Sequence, residues 1–162
     1  MNYLKIEKFD VANGTGVGVV LWVSGCDLHC KGCHNPETWD CNSGSKWTVE
    51  AFNELMEALN QPGISRLTLT GGHPLMKENR DEVYRIVTAV KKYLPHISIW
   101  LYTGYVYEDC MREHTLSRII ENCNVVVDGP FVEELYDRHL PFRGSSNQRI
   151  LYVDKTEETK YV

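Results

Sequence analysis

A chain of 162 residues, 43% of them hydrophobic and 24% charged, can bury one sizeable core but not two, and it is too apolar to be disordered. Its net charge of −5, with no Lys/Arg run, excludes nucleic acid and an anionic membrane surface as expected partners. No apolar stretch approaches the roughly 20 residues a membrane span needs, and the opening MNYLK is charged too early for a signal peptide. The expected compartment is therefore the cytoplasm, where clustered cysteines are more often metal ligands than disulfides.

The predicted elements alternate along the chain. Residues 17–24 (VGVVLWVS) form a continuous apolar run and predict a buried strand ending at Gly25-Cys26. Thr48 is placed to cap a helix through Leu59, with Val49, Phe52, Leu55, Met56 and Leu59 on one face and Pro62-Gly63 beyond its end. A strand follows over 66–70 (RLTLT), running into Gly71-Gly72. The spacing of Val83, Ile86, Val87, Val90 and Leu94 predicts a helix over 79–94. Residues 97–102 (ISIWLY) read as a strand ending at Thr103-Gly104, 106–121 as a less regular helix, and 124–127 as a strand ending at Asp128-Gly129. A last strand is expected over 148–153, while 131–147 shows neither period.

Strands alternating with helices predict an α/β domain spanning 1–162, with a mostly parallel sheet. In such sheets the functional edge lies at the carboxyl ends of the strands. Four strands here end in SGC, TGGHP, YTGY and VDGP, turns in which glycine lets backbone approach a ligand. A parallel sheet would gather all four on one rim.

That rim carries CDLHCKGC, in which Cys26, Cys30 and Cys33 follow a C-x3-C-x2-C spacing. A closed structural zinc site needs four ligands. The available fourths are Cys41, His29 and His34, and there is no second C-x2-C arm. A four-iron, four-sulfur cube held by three cysteines instead leaves one iron open to a substrate. Spacing alone leaves open the cube, a zinc-stabilised binding module and unconnected core cysteines.

With a Gly-Gly-x-Pro turn after the next strand, C-x3-C-x2-C resembles the radical S-adenosylmethionine superfamily. NGTGVGVVLWVSGCDLHCKGCHNPETWD, LTLTGGHPL, TGY, VDGPF and RGSSNQR, in that order, resemble the activating proteins of anaerobic (class III) ribonucleotide reductases. The resemblance extends over about residues 2–149. It implies a partial (βα) barrel with the cluster loop after its first strand. It also implies a [4Fe-4S] cluster on Cys26, Cys30 and Cys33, the catalytic cysteines, with S-adenosylmethionine chelating the open iron. One electron, from a reductant such as flavodoxin, would cleave the sulfonium to methionine and a 5′-deoxyadenosyl radical. That radical would take hydrogen from a glycine in the reductase large subunit and leave a stored glycyl radical.

The same resemblance assigns S-adenosylmethionine contacts to Gly32, Cys33, His34, Gly71, Gly72, His73 and Pro74, with Thr103 and Asp128 near the adenosine. Two positions depart from the pattern. The superfamily usually carries an acid where this chain has His73, and an aromatic ring where it has His34. The ligand's amino group is then held by a neutral imidazole at 73, which can accept a hydrogen bond, or by the backbone of Gly71 and Gly72. A radical enzyme acting on another glycyl-radical enzyme or on a small molecule is the neighbouring reading.

Other features read as ordinary. NGTGVG precedes its strand instead of following it and fails the dinucleotide-binding context. Cys41, Cys110 and Cys123 have no mutual spacing, and Trp39 and Trp47 read as packing. His96, His114 and His139 read as surface residues. RGSSNQR (143–149) is a solvated loop or a docking segment for the partner.

Overall fold

The structure, a computed structural model, describes residues 1–153 and the backbone at 160–161. The expected domain limit at residue 162 lies outside the described residues. Twelve elements follow one another: β1 (Asn2–Asp10), β2 (Gly18–Val23), β3 (Ser45–Lys46), α1 (Val49–Leu59), β4 (Arg66–Gly71), α2 (Arg80–Tyr93), β5 (Ser98–Tyr102), α3 (Tyr107–Arg112), α4 (His114–Ile120), β6 (Val125–Asp128), β7 (Arg149–Tyr152) and β8 (Lys160–Tyr161). They form a mixed α/β fold around a sheet of order β3-β1-β2-β4-β5-β6-β7-β8.

Its middle is parallel. β2 pairs with β4 from Gly18↔Arg66 to Val23↔Gly71, β4 with β5, and β5 with β6. The flanks are antiparallel: β1 on β2, β3 on β1, β7 on β6 and β8 on β7. Pairing runs from β3 to β8 without closing among the described residues.

Helix periodicity explains the core. Thr48 caps α1 by accepting the Ala51 N–H, which satisfies a donor that the first turn leaves orphaned. Leu55 and Leu59 of α1, Val83, Ile86, Val87 and Val90 of α2, and Leu116, Ile119 and Ile120 of α4 bury one face each. They meet Val19, Leu21, Val23, Leu67, Leu69, Ile99, Leu101 and Val126 from one face of the sheet. Val49 is 70% exposed, because the first helical residue precedes the turn that reaches the core. The helix expected over 106–121 breaks at Glu113, whose extended backbone (φ −101°, ψ 117°) separates α3 from α4.

With the helices on one face, the other face of the sheet carries Trp22, Arg66, Thr68, Thr70, Trp100 and Tyr102. The NGTGVG loop is fastened across it. Arg66, fully buried, pairs with Asp10 and donates to the carbonyls of Thr15 and Gly16, both at 3.1 Å. Thr68 Oγ1 donates to the Asn13 carbonyl at 2.8 Å. A Cβ on Gly14 would lie 2.6 Å from Arg66 Cδ and 2.9 Å from Trp100 Cδ2, so only glycine fits there.

A buried guanidinium left without its carboxylate is strongly destabilising, by about 3–5 kcal/mol. Asp10→Ala should therefore lower unfolding free energy on that scale in urea titrations of otherwise identical preparations. A loss under about 1 kcal/mol would show that the pair does not fasten the loop.

Candidate functional site

Because β2, β4, β5 and β6 run the same way, their carboxyl ends share one edge of the sheet. A cavity of about 440 Å³ opens there and continues onto the helix-free face. Cys26, Cys30 and Cys33 line it, together with Gly71, Gly72, His73, Thr103 and Gly104 from the next two strand ends. Three of the four expected turns thus meet.

The cysteine loop is held by its backbone. Gly25 N–H donates to the Thr38 carbonyl at 2.7 Å and Cys26 N–H to that of Trp39 at 3.1 Å. The glycine turn closes on it: Gly72 N–H donates to the Val23 carbonyl at 2.8 Å, and His73 N–H to that of Gly25 at 2.7 Å. Gly25, Gly32 and Gly71 all take positive φ, a conformation costly for any residue with a Cβ. Asn79, buried at the start of α2, ties both segments by donating to the carbonyls of Ser24 and His73 at 3.0 and 3.1 Å.

Backbone N–H groups also point at the sulfurs. That of Asn35 donates to Cys33 at 3.4 Å, and those of Leu28 and His29 favour the Cys26 thiolate. Burial pushes the Cys26 thiol up, and the two N–H donors oppose it. Such donors suit thiolate ligands of a cluster, whose charge they offset. The donor set therefore fits an iron–sulfur group.

The remaining expected residues divide. His34 lines the cavity, its ring 5.0 Å from Phe131 and 5.4 Å from Tyr136 between centroids. Gly32 sits on the outer side of the loop, beside Glu133, and Pro74 is buried behind the turn. Asp128 does not line the cavity. It is buried, accepts the Tyr107 N–H at 2.8 Å and is ion-paired with Arg149, which also reaches Glu108 at 2.7 Å. Those partners raise the Arg149 guanidinium above its ordinary value. Arg149 and Gln148 are thus ordered members of the RGSSNQR segment.

His73 is only 2% exposed, and both its ring nitrogens are engaged. Nδ1 lies 2.6 Å from Asp27 Oδ1 and Nε2 lies 2.8 Å from Thr103 Oγ1. The phenol of Tyr105 donates to the other oxygen of Asp27. Burial and that carboxylate push the Tyr105 hydroxyl up to about 12. Burial lowers the His73 pKa, with Asp27 opposing. Burial alone would raise Asp27, but the bonds from Tyr105 and His73 outweigh it and hold the carboxyl below its ordinary range.

Phe131, Tyr136, Arg138, Leu140, Phe142 and Arg143 form the far wall of the cavity. All belong to 131–147, whose only regular structure is a 3-10 turn over Glu133–Leu135 and a bridge from Tyr136 to Ser145. Their alternation of aromatic and basic residues is the available sequence signal. Trp39 both lines the cavity and stacks on His29 at 4.5 Å. Trp47 packs edge-on against Tyr3. Cys110 and Cys123 are buried in the helical core, where burial raises the Cys110 thiol to about 11.

A mixed sheet that is parallel in its middle, with a three-cysteine loop on its rim, is the setting of a single-cluster iron–sulfur domain. The family model of the 4Fe-4S single cluster domain matches residues 12–151. The anaerobic ribonucleoside-triphosphate reductase-activating protein of Enterobacteria phage T4 is 41% identical over 150 residues, 93% of each chain. The protein of the same name from Escherichia coli K12 is 37% identical over 155 residues, 94% of this chain and 99% of its own. That from Vibrio cholerae is 38% identical over 152 residues, 93% and 97% of the two chains. This chain belongs to the family of anaerobic ribonucleoside-triphosphate reductase-activating proteins.

A Cβ on Gly72 would lie 2.4 Å from the Gly25 carbonyl oxygen and 3.0 Å from that of Thr38. Both are backbone atoms that cannot rotate away. Gly72→Val should cost at least about 1–3 kcal/mol and strip hydrogen-exchange protection from the amides of Gly25, Gly72 and His73. Unchanged protection there would show that the two turns do not brace one another.

Proposed function

We propose that this chain is the activating enzyme of an anaerobic ribonucleotide reductase, with Cys26, Cys30 and Cys33 holding a [4Fe-4S] cluster and the adjoining cavity taking S-adenosylmethionine. The observation that carries the reading is the meeting of three, and only three, cysteines of the loop with two glycine turns around one cavity. Its volume falls in the roughly 300–1,000 Å³ range of ligand sites. Among the described residues, no three or more His, Cys, Asp or Glu side chains gather around a single ion. The preference for a multi-iron group over a lone zinc rests on the three-thiol loop and on the 4Fe-4S family model.

When bound, the cluster and S-adenosylmethionine would supply one-electron radical chemistry whose product is a glycyl radical on the reductase large subunit. The chain's own residues would bind, orient and exclude water. The Leu28, His29 and Asn35 N–H groups offset charge on the sulfurs. Gly71 and Gly72, lacking side chains, let the ligand lie against backbone. Leu28, Leu140 and Phe142 provide apolar wall that limits water. Thr103 and Gly104 form the third side, where the adenosine portion would lie.

The sheet, covered by helices on one face and open to the cavity on the other, is consistent with a partial barrel whose rim receives a glycine-bearing loop of the partner. The relatives' names point to the reductase as that partner. A one-electron donor such as flavodoxin would serve as reductant, and the cytoplasm is the compartment proposed. None of the helices described is long and apolar enough to cross a membrane.

Anaerobically prepared protein should contain about four irons and four sulfides per chain. Cys26→Ala, Cys30→Ala and Cys33→Ala should each abolish cleavage of S-adenosylmethionine to methionine, measured chromatographically. Cys41→Ser, Cys110→Ala and Cys123→Ala should keep the iron and sulfide, although the two buried sites should lose about 1–3 kcal/mol of stability. Stoichiometric zinc without sulfide would overturn the proposal in favour of a structural zinc site.

A further inference from the structure

We propose that His73 is a positioning residue, a strut between the cysteine loop and the third strand end, and not the group that holds the amino end of S-adenosylmethionine. This rests on the function proposed above and assigns a role to Asp27, which follows the first cysteine.

The hydrogen-bond chain fixes its own polarity. Asp27 can only accept, so the proton facing its Oδ1 at 2.6 Å sits on His73 Nδ1. In the neutral ring Nε2 is then an acceptor, and the Thr103 hydroxyl, which itself accepts the Tyr105 N–H at 3.1 Å, donates to it at 2.8 Å. The second oxygen of Asp27 accepts from Tyr105, whose ring stands edge-on to the imidazole at 4.2 Å. Burial, which disfavours an imidazolium, agrees with the neutral ring that this pattern requires.

The chain joins three segments far apart in sequence: residue 27 in the cysteine loop, 73 in the glycine turn, and 103–105 after β5. Neither imidazole nitrogen is left to accept from a ligand's amino group. The His73 carbonyl is occupied as well, by the Met76 N–H at 3.0 Å and by Asn79 at 3.1 Å. Recognition of the amino end then falls to the backbone of Gly71 and Gly72. Asp27 holds the cysteine loop against that backbone, as an outer carboxylate orients the ligands of a metal site.

The test is a double-mutant cycle with Asp27→Ala, His73→Ala and the pair combined. Binding of S-adenosylmethionine to anaerobic, cluster-loaded protein would be followed by equilibrium dialysis. Alkylation of individual cysteines in cluster-free, reduced full-length protein would be followed by mass spectrometry. Each single variant should weaken binding about tenfold, the low end for loss of an outer-shell partner. The double variant should also fall about tenfold, because both changes cut one chain. In the cluster-free protein, the same variants should speed alkylation of Cys26, Cys30 and Cys33 but not of Cys110 and Cys123. His73→Asn, which keeps a donor for Asp27, should recover most of both effects and should fold even if His73→Ala does not.

Weakened binding in His73→Ala beside wild-type behaviour in Asp27→Ala would overturn the proposal, since the imidazole would then act on the ligand directly. Wild-type behaviour in all variants would overturn it equally. If wild-type protein held no cluster or no S-adenosylmethionine, the functional reading would fail, and the alkylation cycle would still decide whether the strut exists.

Discussion

The parallel pairing of β2, β4, β5 and β6 is the constraint on which everything at the rim depends. Each of these strands is buried and β-branched or leucine-rich, and each ends in a turn that its neighbour's register brings alongside. The pairing of Val23 with Gly71 sets the start of the cysteine loop beside the glycine turn. A slip of one residue would exchange the faces of a strand and send Leu67 and Leu69 toward the cavity. The helical core, by holding register, also sets the relative height of Cys26, Gly72 and Thr103.

Backbone does most of the local work. Carbonyls and N–H groups of Val23, Gly25, Thr38, Gly72 and His73 pair with one another across the loop. The left-handed glycines make those approaches possible without strain. Side chains then add cross-links at few points: Asn79 beneath the loop, the chain through Asp27 and His73 above it, and Arg66 under the NGTGVG loop. Asn79, His73 and Arg66 are buried, where a satisfied polar group specifies one arrangement and an unsatisfied one is costly.

Much of this was legible in the sequence, for a physical reason: the central strands and α1 and α2 are periodic and capped, and periodicity reports burial directly. β1 was not foreseen, because an antiparallel flanking strand exposes alternate residues and Asn2–Asp10 is polar along much of its length. The sequence likewise could not give the direction of β7, since four apolar-centred residues fit either polarity. The placing of the cysteine loop and the glycine turn on one rim followed from the strand-end spacing, whereas their roles came from the resemblance. The partner of Asp128 was not readable, because a polar residue at a strand end reads the same whether it faces a ligand or an arginine 21 positions later. Asp27 left no signal, and the wall from 131–147 left only its mix of aromatic and basic residues, because their roles come from tertiary approach and have no period.

On the proposed function, this rim produces a radical on a glycine of another protein. The most direct measurement is anaerobic electron paramagnetic resonance of the cognate reductase large subunit mixed with this protein, S-adenosylmethionine and a one-electron reductant. An organic radical signal is expected on the large subunit. It should be absent when Cys26→Ala protein is used, and should change shape when the reductase carries glycine deuterated at the α-carbon. Iron-loaded wild-type protein that cleaves S-adenosylmethionine yet yields no such signal, or a signal insensitive to that deuterium, would contradict it.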